Sequence, residues 1–307
     1  MAEPFKWSNE PLNWGDWCAW CKEAKKEADR RKAAGDPIAQ KPALFTHAAT
    51  RKLITHYVGE DWFMRYAMPD GRANSYFLPK FTGADGEAAD YTARVFNLAE
   101  CFFNLQDVEN FALPVRDLQN EPQIESALAE LQIGMILHQD GIPFRYLEPS
   151  TVSGVKTPDL EITIGNRSVY SDVKCKFEIV DYADGCLKAP FKSARAQIGT
   201  GRQGFMFVKV PQNWSSQRGD EVIIPRAVVD ECRRLMGGTS RVVKTVFYTF
   251  HLTQGPEAMT NRHAIAEINS PRLAADDAWN ERVFPCDGRG SWLRLLEIVG
   301  NAVGEPV

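Results

Sequence analysis

The chain has 307 residues, enough for one large domain or two small ones with a sizeable core. At 44% hydrophobic and 25% charged residues it has the composition of a globular protein, and it has no run of about 18 apolar residues to span a membrane. A net charge of -4 argues against binding nucleic acid over a basic whole surface, so any such contact must come from a local patch.

The N-terminal stretch MAEPFKWSNEPLNW lacks a basic region followed by an apolar one, so no secretory signal is expected. Seven irregularly spaced cysteines predict reduced thiols in a cytoplasmic protein rather than a disulfide framework. The first helix is predicted from a cap at Asn13 to about Ala34, with Trp14, Trp17, Cys18 and Cys21 on its apolar stripe. Two more are expected over Thr46 to Tyr66 and Ala88 to Leu105, separated by loops at Pro69-Asp70-Gly71 and GADGEAAD. These make residues 1–115 an N-terminal helical region, a surface for substrate, a protein partner or a second copy forming a homodimer.

Residues 116–307 have a different pattern. Asn120, Pro122 and Gln123 predict a capped helix start, followed by apolar Ile124, Leu128, Leu131 and Met135, and Gly141 and Pro143 end the helix. Strands are expected at Phe144 to Leu147 and in the two arms of PDLEITIGNRSVYSDVKCK, residues 158–176. A helix over Leu187 to Gly199 and a strand over Phe205 to Val210 follow. Beyond them come a helix from Pro225 to Met236, a strand from Val242 to Leu252 and a helix from Ser291 to Val299. The core order α-β-β-β-α-β predicts an α/β fold with a mixed central sheet flanked by helices.

The hairpin carries the chemistry. Both arms alternate with period two, and Gly165-Asn166 suits a two-residue turn that places Ile164 opposite Arg167. Continuing that register places Asp159 opposite Asp172, with Cβ atoms about 5 Å apart and Lys174 one pleat further along. Two carboxylates that close repel one another unless a proton or a cation joins them. Mg²⁺ takes oxygen ligands of this kind and commonly works with substrate phosphates. The bland alternative is an exposed, charged hairpin edge, since the acidic-x-lysine triplet recurs at Glu23-Ala24-Lys25 on a helix.

Pro158-Asp159, followed after twelve residues by Asp172-Val173-Lys174, resembles the motif of the PD-(D/E)xK nuclease superfamily, which has the restriction-endonuclease-like fold. The preceding stretch IESALAELQIGMILHQDGIPFRYLEP is similar to that family's leading helix and first strand, and the likeness spans about residues 120 to 210. The resemblance implies Mg²⁺-dependent phosphodiester hydrolysis, with Mn²⁺ able to substitute. It implies that Asp159, Asp172 and the Val173 carbonyl ligate the metal, and that Glu125 binds metal or water, with Glu130 as runner-up. Lys174 would stabilise developing charge or position the attacking water. The glutamine-x-x-x-tyrosine signature of one subgroup is absent, Gln197 being the nearest matching residue. DNA is favoured over RNA as substrate, and genome defence as the setting, by analogy.

Residues 185–219 contain six basic residues and no acidic one. Lys188, Lys192 and Arg195 fall on one face of the predicted helix, where they read either as phosphate contacts or as an ordinary solvated face. Cys18 and Cys21 have zinc-like spacing without a second pair, so helix packing is the better reading. The five histidines are scattered, and Gly199, Gly201 and Gly204 do not form a dinucleotide fingerprint. The rival to an active nuclease is a nuclease-like module that binds or assembles without catalysis. An unrelated small-molecule enzyme is a third class.

Overall fold

The computed structural model describes residues 8, 10–37, 44–67, 87–176, 181–218, 221–254, 259–274, 277, 279 and 282–284. The predicted turn at Pro69 to Gly71 and helix at Ser291 to Val299 lie outside them. The chain forms two compact units. It leaves the first after Asp107, returns to it over Val115–Ile124, and continues in the second from Glu125. Near the boundary expected at residue 116 it therefore crosses more than once.

The described part of the first unit is helical. Helix α1 (Trp14–Ala33) starts at Asn13, whose Oδ1 accepts the Asp16 N–H at 3.1 Å. Trp17 and Cys21 are buried, and burial with the neighbouring Cys18 pushes the Cys21 thiol up to about 12, as befits a packing residue. The single helix expected over Thr46 to Tyr66 is instead α2 (Leu44–Val58), α3 (Glu60–Trp62) and a π-helical turn, Phe63–Ala67. Gly59 divides them, because its φ of +85° does not continue a helix. Helix α4 (Glu87–Leu105) completes this set. Indole Nε1 of buried Trp62 donates to Leu118 O at 2.7 Å, tying the returning segment to the unit.

Helix α5 (Ala112–Asp117) forms across the boundary expected at residue 116. Asn120 makes no side-chain cap. A 3₁₀ turn, Glu121–Gln123, precedes α6 (Ile124–Gln139) and starts it by backbone bonds, with Gln123 N–H donating to Asn120 O at 2.7 Å.

The second unit is a six-stranded mixed sheet in the order β1-β2-β3-β4-β7-β8. Its strands are β1 (Phe144–Tyr146), β2 (Leu160–Ile164), β3 (Arg167–Cys175), β4 (Gly204–Lys209), β7 (Val242–Gln254) and β8 (Met259–Asn269). A separate ribbon pairs β5 (Ser216–Arg218) with β6 (Glu221–Ile223). Strands β1, β2 and β3 form an antiparallel meander. The β3–β4 and β4–β7 pairs are parallel, and β8 returns antiparallel along β7. Helix α7 (Lys188–Ile198) makes the β3-to-β4 crossover and α8 (Arg226–Gly237) precedes β7.

Alternation along the strands divides the core into two layers. On one face α6 packs Ile133, Ile136 and Leu137 against Val173, Phe205 and Phe207. On the other, α7 and α8 bring Phe191, Ala194 and Cys232 against Met206, Val208 and Phe247. Each large apolar side chain so buried contributes about 1.5–3 kcal/mol. Gly204 opens β4 where a Cβ would lie 2.5 Å from Tyr170 O and 2.7 Å from Ile198 Cδ1, so no other residue lets β4 come so close to β3 and α7. At the far side of the sheet Lys244, fully buried, is ion-paired with Glu267, which also accepts the Phe284 N–H at 2.5 Å. Among the described residues no helix is long and apolar enough to cross a membrane.

Candidate metal centre

The hairpin register is the one read from the turn. Ile164 faces Arg167, and the ladder runs back to Leu160 opposite Ser171. Gly165 supplies the positive φ, +58°, required at the first central position of such a turn. There the ladder stops, one pair short of the expected Asp159–Asp172 pair. The Asp159 N–H donates to Ser171 O at 2.9 Å, and its carbonyl accepts the Leu147 N–H at 3.0 Å. Its side chain then crosses the strand end, where Oδ2 accepts the Val173 N–H at 2.7 Å. Beyond the end of β2 no backbone carbonyl of that strand is left for this N–H, and the carboxylate takes its place.

The two aspartates nevertheless meet. Asp172 is fully buried, on the β3 face that α7 covers, rather than on the exposed, charged hairpin edge of the bland alternative. The difference arises because β3 is an interior strand, flanked by β2 and β4 and roofed by a helix. Lys174 Nζ donates to Asp172 Oδ1 at 2.6 Å. Asp172 Oδ2 is buried with no donor, and the Asp159 carboxyl group faces Asp172 at hydrogen-bonding range. Asp159 is itself an acceptor, so a proton or a cation must mediate that contact. Burial and then the charge of Asp159 push the Asp172 carboxyl up to about 8, while Lys174 pulls it back.

Gln197 joins the parts. Its Oε1 accepts Lys174 Nζ at 2.8 Å and Ser193 Oγ at 3.0 Å. Its Nε2 donates to Thr157 O at 3.3 Å and Asp159 Oδ1 at 3.4 Å. Ser193 and Gln197, one turn apart on α7, therefore hold the lysine between helix and strand.

Other expected members lie elsewhere. Glu125 is buried at the start of α6, with Oε2 3.7 Å from Lys209 Nζ. Lys209 leaves β4 on the face of Phe205 and Phe207, the opposite face from Asp172 and Lys174. Glu130 is half-buried one turn further along α6. Among the described residues no three His, Cys, Asp or Glu side chains are gathered to hold a metal. The donors that do converge are the two aspartate carboxylates. With Val173 beside them they fit an ion such as Mg²⁺, which uses one or two carboxylates and keeps several waters. Asp172 Oδ2, buried without a donor, is the atom such an ion would satisfy.

Lys188, Lys192 and Arg195 are exposed on α7. At about 100° per residue, Lys188 and Arg195 lie roughly 140–180° round the helix from Ser193 and Gln197, so the basic stripe occupies the flank turned away from the aspartates. Arg241 joins it, donating Nη1 to Arg195 O at 2.9 Å. Another cation, Arg202, has its guanidinium 4.5 Å from the Tyr170 ring centroid. Tyr170 precedes Asp172 by one pleat on the same face, a spacing visible in the sequence, whereas the approach of Arg202 is made only by the α7-to-β4 crossover. Comparison with protein-family models, curated proteins and solved structures finds no match.

Proposed function

We propose that this chain is a divalent-metal-dependent nuclease of the restriction-endonuclease-like class, acting on DNA in preference to RNA. The observation that carries the proposal is the buried Asp172 carboxyl group, which has Lys174 on one oxygen and faces Asp159 with no donor on the other. A charged lysine and two crowded carboxylates in one partly dry pocket suit an anionic substrate brought by a cation. The order α6-β1-β2-β3-α7-β4 supports the class, being the α-β-β-β-α-β core that the motif implies.

Asp159 and Asp172 hold the Mg²⁺, with Val173 adjacent. The bound ion supplies Lewis-acid neutralisation of the phosphate and a more acidic water. Lys174 places its ammonium where negative charge grows on the phosphate, and Gln197 fixes the direction of that ammonium. Lys188, Lys192 and Arg195 serve as phosphate contacts away from the reacting bond. Glu125, with Oε2 3.7 Å from Lys209 Nζ, is given no place on the ion in this reading.

A second reading, a nuclease-like binding module without catalysis, draws on the absence of a third acidic group among the described residues. One experiment separates the two: incubation with single- and double-stranded DNA and RNA in Mg²⁺, Mn²⁺ or EDTA, for the wild type, Asp172→Ala and Lys174→Ala. Metal-dependent cleavage lost in both variants is expected. Cleavage that survives either substitution removes these residues from the chemistry, and binding without cleavage favours the module.

A further inference from the structure

Strand β3 carries its polar side chains in single file. Tyr170, Asp172 and Lys174 alternate onto the face that α7 covers, and Lys176 is next in that series. The strand ends at Cys175, yet the ladder runs one bond further, with Lys176 N–H donating to Lys209 O at 2.9 Å. That bond fixes Lys176 beside β4, in line with Lys174. Its ammonium acts on the α7 side of the sheet. Burial and then the charge of Glu231 push the half-buried Cys186 thiol up, Lys176 pulls it back, and Cys186 packs with the layer that α7 and α8 form.

Lys176 is half-buried, and among the described residues its Nζ meets no carboxylate and no hydrogen-bond acceptor. Lys174, by contrast, is held by Asp172 and Gln197. A neighbouring acceptor is passed over. Glu231, buried on α8, accepts the Tyr182 hydroxyl on Oε2 at 2.6 Å, while its Oε1 is buried with no donor. An ammonium partly withdrawn from water without a counter-charge is unfavourable, and an incoming anion relieves it. The spacing selects that anion. Alternate Cα atoms of a strand lie about 6.4–6.8 Å apart. Six backbone bonds separate them, the same number that separates successive phosphorus atoms along a nucleic-acid strand. Two lysines so spaced on one face match neighbouring phosphates, and the flexible lysine stem takes up the remaining mismatch. A lone anion would need one lysine, not two in register.

We infer that Lys176 holds the phosphate one nucleotide away from the scissile one, so that the cleaved strand runs along β3 with its scissile phosphate at Lys174 and the next at Lys176. The inference rests on the nuclease reading for what happens at Lys174, but not for what Lys176 binds. Lys176 stands outside the metal centre and sets the register of the strand relative to it.

The test uses the full chain, Lys176→Met and Lys176→Arg. Binding is read by calorimetric titration in Ca²⁺ with thymidine 5′-phosphate and with the thymidine dinucleotide that carries a second phosphate. The wild type is expected to bind the dinucleotide about tenfold more tightly. Lys176→Met should lose that gain with its Tm unchanged, and Lys176→Arg should keep it, since a guanidinium also binds phosphate. Cleavage then gives the register. An oligonucleotide with one neutral methylphosphonate should resist the wild type at that linkage and at the bond on one side of it. In Lys176→Met the bond beside the neutral linkage should be cut as readily as any other. A dinucleotide gain that survives in Lys176→Met, or a wild type that binds both nucleotides alike or neither, would overturn the inference. So would a neutral linkage that protects both neighbouring bonds equally. Failure of the two proposals is distinguishable. A gain that depends on Lys176 in a protein that never cleaves in Mg²⁺ sinks the nuclease and keeps the phosphate contact, whereas metal-dependent cleavage without such a gain does the reverse.

Discussion

Lys174 Nζ lies 2.6 Å from Asp172 Oδ1, while Oδ2 of the same fully buried carboxyl group meets no donor and the group faces Asp159. One carboxyl group is thus half satisfied and half strained, and the strain is electrostatic. A fold retains such a group at the expense of stability where function requires it.

Asp172→Asn is therefore expected to stabilise the metal-free protein while abolishing cleavage. The pH dependence follows from the raised carboxyl. Its native value near 8 exceeds the unfolded value of about 4, so the native state holds the proton more tightly. The stability that this proton provides is complete below about pH 4 and declines as pH rises towards about 8. Thermal melts in EDTA across that range should fall for the wild type and flatten for Asp172→Asn. A variant less stable than wild type at pH 7 would contradict the electrostatic strain.

Mg²⁺ should raise the Tm of the wild type, because an ion bound only by the native state stabilises by mass action. It should do nothing for Asp172→Asn. Calorimetric titration provides the second measure, and equal shifts in both proteins would place the ion elsewhere.

Gln197→Ala should lower kcat by about 10–100-fold with little change in KM, the usual cost of losing a group that orients a catalytic side chain. Gln197→Glu keeps an acceptor for Lys174 but sets a third carboxylate beside Asp159, so it should not rescue. An unchanged kcat in the alanine variant would show that Lys174 needs no help from α7.

Gly204→Ala should cost about 1–3 kcal/mol, since its Cβ would lie 2.5 Å from a backbone carbonyl that the β3–β4 ladder holds in place. Urea unfolding measures it, with an unchanged midpoint as the contrary result.

Lys244→Met should cost about 3–5 kcal/mol by leaving Glu267 charged beneath the sheet. A double-mutant cycle with Glu267→Gln should show strong coupling, because the amide restores neutrality. Additive effects would mean that the pair contributes nothing as a pair.

The alternation of Leu160, Ile162 and Ile164, with Gly165-Asn166 behind them, was enough to read the hairpin and its register from the sequence. The ladder's early end was not legible, since it depends on Asp159 turning its side chain onto Val173. The burial of Asp172 was equally hidden. Period two distinguishes the faces of a strand but does not say that a helix roofs the polar one. Glu125 matched the motif by position along the chain, yet Lys209, brought in by β4, decides which way it is held. Gln197 was visible only as a polar residue in the right helix. The contacts that give it a role come from α7 itself, from β3 and from the stretch Thr157 to Asp159 that leads into β2. Gly59, a glycine inside an apparent helical run, is the one break in α2–α3 that the sequence itself displays.

The bond from Val173 N–H to Asp159 Oδ2 closes the open end of the hairpin through a side chain where backbone pairing has run out. Position 159 therefore combines the clasp with the ligand role proposed for it. Asp159→Ala would loosen β2 from β3 beside the centre as well as remove a donor, so a dead Asp159→Ala enzyme is weak proof of ligation. Asp159→Asn keeps an oxygen for the clasp and separates the two.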